Sequence, residues 1–302
     1  MKRLILLLGL GMCLTLFVNA QTKVKVDGRA IPYEQFSSFK LPGAQLAIEI
    51  QNKQGGEYRI FLAKELQSTF KTGTYTMTVP AESGVYPLQV MNPNDKVVLN
   101  LNLFVLTPIE QKKDEYLNGF RMGNYPPALG EGGKYERPRG FIEIKKGYKD
   151  VQLTPHFKLS QFVTSQKGNP KYIIIRESLL LKLEYILAEV NKAGVQVNTL
   201  GIRQAYLTPH DNAEKQFAIY SRFIYGDAAQ IIIDRDKNGI MDDVNGDGVG
   251  DMRDARWLFN LIDKLSARAD YQKLEGGLAH YRLNKKFGGY VYIDARGNKM
   301  RF

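Results

Sequence analysis

Apolar and polar residues alternate one by one through much of the first third of the chain. Leu46, Ile48 and Ile50 alternate with Ala47, Glu49 and Gln51. Tyr75, Met77 and Val79 alternate with Thr74, Thr76 and Thr78, and Leu99, Leu101 and Leu103 with Asn100 and Asn102. Successive side chains of a strand point to opposite faces, so each run predicts a strand with one buried face. Turn signals separate the runs: Gly55-Gly56, Gly73, Ser83-Gly84 and Asn92-Pro93-Asn94-Asp95. Short strands at this spacing predict a β-sandwich-like, Ig-like domain over residues 21–107. No catalytic constellation falls within it, and its expected role is binding or spacing.

The pattern then changes. Residues 108–150 are rich in Gly, Pro and charge, as in Tyr125-Pro126-Pro127 and Gly130-Glu131-Gly132-Gly133, and are expected to form a connector with one short strand from Gly140 to Ile144. Tyr172 to Ile175 is apolar and β-rich. Leu179, Leu183, Ile186, Leu187 and Val190 recur at helical spacing, with Gly194 as the stop. Residues 151–302 therefore read as an α+β domain.

The first twenty residues stand apart. Lys2 and Arg3 precede an apolar stretch from Leu4 to Val18, and Val18-Asn19-Ala20 fits a small-residue cleavage site before Gln21. This pattern predicts a secretory signal peptide. The apolar run is shorter than the ~20 residues of a spanning helix, and no other segment reads as transmembrane. Cys13, the chain's one cysteine, lies in this segment, so no disulfide, thiol nucleophile or cysteine metal ligand is expected after cleavage. The formal net charge is +11. The basic residues are scattered and not interleaved with aromatics, which argues for a solvated surface and against nucleic-acid binding.

The densest chemistry lies in an acidic loop, residues 234–254. Calcium takes six to eight oxygen ligands at loose geometry. Asp243, Asn245, Asp247, Gly248, Val249, Asp251 and Asp254 fall at positions 1, 3, 5, 6, 7, 9 and 12 of a loop that resembles those of EF-hands and dockerins. An overlapping frame offers a second site at Asp234, Asp236, Asn238, Ile240 and Asp242, and a helix is expected from Asp254 onward. One or two calcium ions are the expected cofactor.

Four further segments carry a resemblance. They are Thr154-Pro155-His156-Phe157-Lys158-Leu159-Ser160-Gln161-Phe162, Ala205 to Asn212, Tyr220 to Gln230 and Gly288 to Gly297. In order and spacing they resemble bacterial zinc peptidases of the D-alanyl-D-alanine carboxypeptidase type, which act on peptidoglycan stem peptides. The resemblance implies a hedgehog-like α+β fold. It also places the family's zinc ligands at Phe223, Gln230 and Tyr292, its substrate-anchoring Arg at Leu207 and its catalytic acid at Gly289. Zinc takes His nitrogen, Cys sulfur or carboxylate oxygen, so zinc is not expected here.

The resulting expectation is an exported pseudopeptidase, periplasmic or at the cell surface. It would act as a calcium-stabilised binding or structural module, with peptidoglycan or another envelope component as partner. The alternative is an active carboxypeptidase or endopeptidase with a relocated zinc site, for which His210, Asp211 and Asp227 are the cleft candidates. His156 is expected to be partly buried and structural, and His280 to lie exposed in a loop.

Overall fold

The computed structural model describes residues 22–52, 55–129, 133, 135–282 and 288–302. The expected signal peptide and the glycines 130 and 132 of the expected connector lie outside the described residues. The chain is mixed α+β, with a β-rich first third. No helix among the described residues is long and apolar enough to cross a membrane.

Among its described residues the first third holds nine strands: β1 (Lys23–Val26), β2 (Arg29–Ile31), β3 (Gln35–Lys40), β4 (Gln45–Gln51), β5 (Tyr58–Leu62), β6 (Glu65–Phe70), β7 (Gly73–Thr78), β8 (Gly84–Met91) and β9 (Val97–Val105). They form a four-stranded sheet, β2-β1-β4-β7, and a five-stranded sheet, β3-β9-β8-β5-β6. The alternation seen in the sequence sets which face is buried. Leu46, Ile48 and Ile50, Leu88 and Val90, and Leu99, Leu101 and Leu103 are all sealed from solvent. Phe70 of β6 meets Tyr75 of β7 at 5.7 Å between ring centroids, joining one sheet to the other.

The segment expected as a connector is part of the core. It supplies β10 (Thr107–Pro108), a small meander of β11 (Lys112–Lys113), β12 (Tyr116–Leu117) and β13 (Phe120–Arg121), and β14 (Gly140–Glu143). β10, β14 and β15 (Tyr172–Ile173) form one three-stranded sheet. Ile109, Leu117, Phe120, Met122, Phe141 and Ile142 are buried in the same cluster as the cores of both flanking regions.

The remainder is built on a five-stranded sheet, β16-β17-β19-β18-β20. Its strands are β16 (Gly201–Gln204), β17 (Ala228–Ile232), β18 (Gly277–Arg282), β19 (Gly289–Asp294) and β20 (Met300–Arg301). Among the described residues three α-helices accompany it: α1 (Glu177–Lys192), α2 (Pro209–Glu214) and α3 (Met252–Leu265). α3 buries Ala255, Leu258, Ile262 and Leu265, and it packs against β18 and β19. α1 buries the predicted apolar stripe and also Lys182 and Glu184. His280 lies in β18, half-buried, with its ring 4.8 Å from Phe259 of α3. This corrects the expectation of an exposed loop: the residue pairs with Val291 of β19, and β20 borders the same strand at Gly277 and Leu278, both out of reach of a local reading.

The two halves meet through polar contacts as well as a shared core. Ser37 Oγ donates to the Leu153 carbonyl at 3.0 Å and Asn102 Nδ2 to the Gln152 carbonyl at 2.7 Å. Glu177, at the first turn of α1, accepts from Ser38 Oγ at 2.9 Å, the Phe39 amide at 3.3 Å and Arg29 at 3.0 Å.

Candidate functional site

Leu207, Phe223 and Ala228 form a small apolar cluster of their own, with Tyr292 packed against it. Leu207 follows β16. Phe223 sits in a 3-10 turn, Arg222–Tyr225, which ends on Gly226 in the left-handed region (φ 74°). A Cβ on Gly226 would lie 2.6 Å from the Ile174 carbonyl oxygen, so both backbone shape and space call for glycine there. β17 begins two residues later, and Gln230 stands directly across the ladder from Tyr292 of β19. Phe223, Gln230 and Tyr292, the positions that the resemblance assigns to zinc ligands, thus come together with Leu207.

What fills them is aromatic bulk. The Phe223 and Tyr292 rings meet edge to face, 5.6 Å apart at 87°. Phe217 adjoins Phe223 at 5.5 Å, and Phe302 adjoins Tyr292 at 6.1 Å, giving a continuous row of four rings. The Tyr292 hydroxyl donates to Asp294 Oδ2 at 2.8 Å, and burial pushes its pKa well up. A buried phenol held this way is a neutral donor and offers no anionic ligand.

Gly289 lies elsewhere. Three residues before Tyr292 on a regular strand, it falls on the opposite face, and an added Cβ would meet Ala255 Cβ at 2.6 Å and Met252 Sδ at 2.9 Å on α3. A carboxylate here would be driven into α3 and away from the cluster.

Beneath the rings lies a buried charge network that the sequence did not disclose. Arg222 and Asp227 form an ion pair, 5% and 6% exposed, with Nε donating to Oδ1 at 3.0 Å. Burial raises the pKa of Asp227 even though Arg222 pulls against it. Burial also works against the Asp294 carboxylate, but the bonds and charge of Arg296 hold it below the usual range. Lys182 of α1 is 1% exposed and donates to the Asp294 carbonyl at 2.7 Å. Burial pushes its pKa down to about 8. The Arg222–Asp227 and Asp294–Arg296 pairs are local in sequence, but Lys182 reaches Asp294 from 112 residues away, so no local pattern signals that all of them meet.

The cleft candidates do not assemble into a site. The Asp211 carboxylate is engaged by Lys215 at 2.7 Å, whereas Asp227 belongs to Arg222. The His210 amide donates to the Met122 carbonyl at 3.0 Å, which pins α2 to the 108–150 segment. Asp211 Oδ2 is buried without a hydrogen-bond partner among the described residues. His156 is fixed by buried Glu184, which accepts from its amide at 2.9 Å and bonds its Nδ1 at 2.7 Å. That bond ties the 151–158 segment to α1.

In the acidic loop the carboxylates of Asp234, Asp236 and Asp242 converge, with ligand oxygens within 4.8 Å of one another. Burial, with the neighbouring Asp236 carboxylate, raises the pKa of Asp234 against the backbone amides of Gly239 and Asn238. Such a cluster of acids suits a hard cation. In the frame from Asp243 to Asp254, Asp243 accepts the amides of Gly246, Asp247 and Gly248, and the Gly248 amide leads in lowering its pKa. Asn245 Oδ1 accepts the Asp247 amide at 3.0 Å, and Asp247 Oδ1 accepts the Val249 amide at 3.1 Å. Arg253 pairs with both Asp247, at 2.8 Å, and Asp251, at 3.0 Å. Asp254 is fully buried and accepts the amides of Val244, Asn245 and Asp251. α3 begins at Met252, with Asp251 as N-cap and Asp254 completing a capping box. In the overlapping frame Asn238 Oδ1 accepts the Ile240 amide at 2.8 Å.

Comparison with protein-family models gives no match, and comparison with curated proteins gives none. Among solved structures, the fibronectin(III)-like modules of Clostridium thermocellum CbhA match at 16% identity. That match covers 27% of this chain and 94% of the module chain, with a TM-score of 0.20.

Proposed function

We propose that this is an exported, non-catalytic relative of the D-alanyl-D-alanine carboxypeptidase-type peptidases. In this reading the second half is hedgehog-like, the protein binds peptidoglycan or another envelope component, and calcium in the 234–254 loop stabilises it. One observation carries the reading. The positions aligned with the zinc ligands and with the substrate-anchoring Arg gather at one place, and they hold Phe223, Gln230, Tyr292 and Leu207. Gathering supports the alignment of the segments; the residue types remove the chemistry. Zinc does not fit this set, since a phenyl ring has no lone pair and the buried Tyr292 phenol stays protonated. Water activation and amide polarisation, the two services of a catalytic zinc, therefore have no route here. Calcium fits the oxygen donors of Asp234, Asp236 and Asp242, which would hold the ion and let it relieve the repulsion among them.

The test is metal content by elemental mass spectrometry after dialysis against trace zinc and calcium, together with co-sedimentation with purified peptidoglycan. The expected result is about one or two equivalents of calcium, no zinc, and pelleting with the wall polymer. Stoichiometric zinc overturns the non-catalytic reading. Failure to pellet overturns the choice of peptidoglycan as partner.

A further inference from the structure

A strand at the edge of a sheet presents unpaired amide and carbonyl groups, and proteins ordinarily guard such edges. Most edges here are guarded. β3 is covered by the 151–158 segment and α1. β6 carries a bulge where its pairing to β5 skips Gln67, and Lys64, Glu65 and Lys71 flank it. β16 carries a bulge and the exposed Arg203. β2 is three residues long and is followed by Pro32. β7 carries none of these guards within its own span, although Lys71 and Pro80 flank it. It is six residues long, ends its sheet, pairs with β4 without a bulge from Gly73 to Thr78, and contains no charge and no proline.

We infer that β7 is a docking edge for a second copy of this chain, joined in antiparallel fashion across a two-fold axis at Thr76. The strand is its own complement in that register. Thr76 faces its symmetry mate. Thr74 faces Thr78 on the exposed side, and half-buried Tyr75 faces buried Met77 on the core side. Threonine pairs across strands are favourable, Tyr75 packs on the apolar Met77, and no like charges oppose one another. A two-fold axis makes the contact closed, so it ends at a dimer. The added pairing joins the two four-stranded sheets into one and satisfies the edge groups of both copies.

Sedimentation of the full chain over a concentration series tests this. Wild-type protein is expected to reach the mass of two chains at high concentration and to fall towards one on dilution. Thr76→Lys sets two ammonium groups against each other at the axis and is expected to weaken association by about tenfold or more, with thermal unfolding unchanged at dilutions where the chain is a monomer, because Thr76 is exposed there. A second measurement stands apart from that variant. Cys13 is the chain's one cysteine, so in a Cys13→Ser background Thr76→Cys supplies a single thiol. Cα atoms of opposed antiparallel residues lie about 4.5–5.5 Å apart, within disulfide reach. Thr76→Cys is expected to cross-link on mild oxidation, and Thr69→Cys on the guarded β6 edge is not. A wild-type mass of one chain at every concentration overturns the proposal, as does a dimer indifferent to Thr76→Lys or equal cross-linking by the two cysteine variants.

Discussion

Lys182 places a charge where water does not reach. Its ordinary pKa of 10.5 falls to about 8 in the folded chain, with burial as the leading cause. The unfolded chain therefore binds more protons between those values, and stability rises as pH climbs from 8 to 10.5. A shift of this size corresponds to the order of 3 kcal/mol. Lys182→Met is expected to lose that rise, which a comparison of melting temperatures against pH would read as a converging pair of curves. His280 gives the opposite side of the scale. Burial, then the charge of Arg256, lowers its pKa, and its Nδ1 is buried without a partner among the described residues. The unfolded chain takes up the proton first as pH falls through about 6.5. The fold loses stability there, and His280→Phe is expected to flatten that acid-side slope while keeping the ring against Phe259. Neither effect was legible beforehand. The apolar spacing of α1 says nothing of Lys182, and its partner carbonyl lies 112 residues away.

At the level of elements, single-faced burial was the legible part. β4, β7 and β9 follow the alternation because each has one face on the core. The end of β9 breaks it, and Phe104, Val105 and Leu106 are all buried, because β10 and the 108–150 segment cover the second face there. The acidic loop was read as a row of ligands, yet Asp251 and Asp254 also start α3. Capping and ligation draw on the same residue types, so spacing alone does not separate them. Gly289 shows the same double reading. It stood out as a missing catalytic acid, but its place is set by the approach of α3 to β19. Gly289→Ala is expected to cost about 1–3 kcal/mol by overpacking Ala255 and Met252. Gly289→Glu is expected to destabilise further, with no gain of hydrolysis. Denaturant titration, with an assay on stem peptides, checks both. If Gly289→Ala were as stable as the parent, the close packing of α3 would not be what selects glycine.

Across the whole molecule, the sequence reads as two domains and a connector, while one apolar core runs through all three regions. Composition misled here because Gly, Pro and charge mark surface loops, and it is the short apolar pieces between them that the core absorbs. Glu177 sits at the seam. Its carboxylate accepts from Ser38, the Phe39 amide and Arg29, all in the first third, while its backbone begins α1. Units that share a core and are stitched by buried hydrogen bonds unfold together, whereas independent domains melt separately. Scanning calorimetry of the parent chain is therefore expected to give one transition whose calorimetric and van't Hoff enthalpies agree. Glu177→Ala leaves the Ser38 hydroxyl and the Phe39 amide short of an acceptor, at a cost of about 1–3 kcal/mol. It is expected to lower that single transition by a few degrees. The strand region and the helical region should shift together, because destabilising either face of a common core destabilises the other. Two transitions in the parent, or a Glu177→Ala shift confined to one of them, would mean that the seam is a contact between separately stable domains.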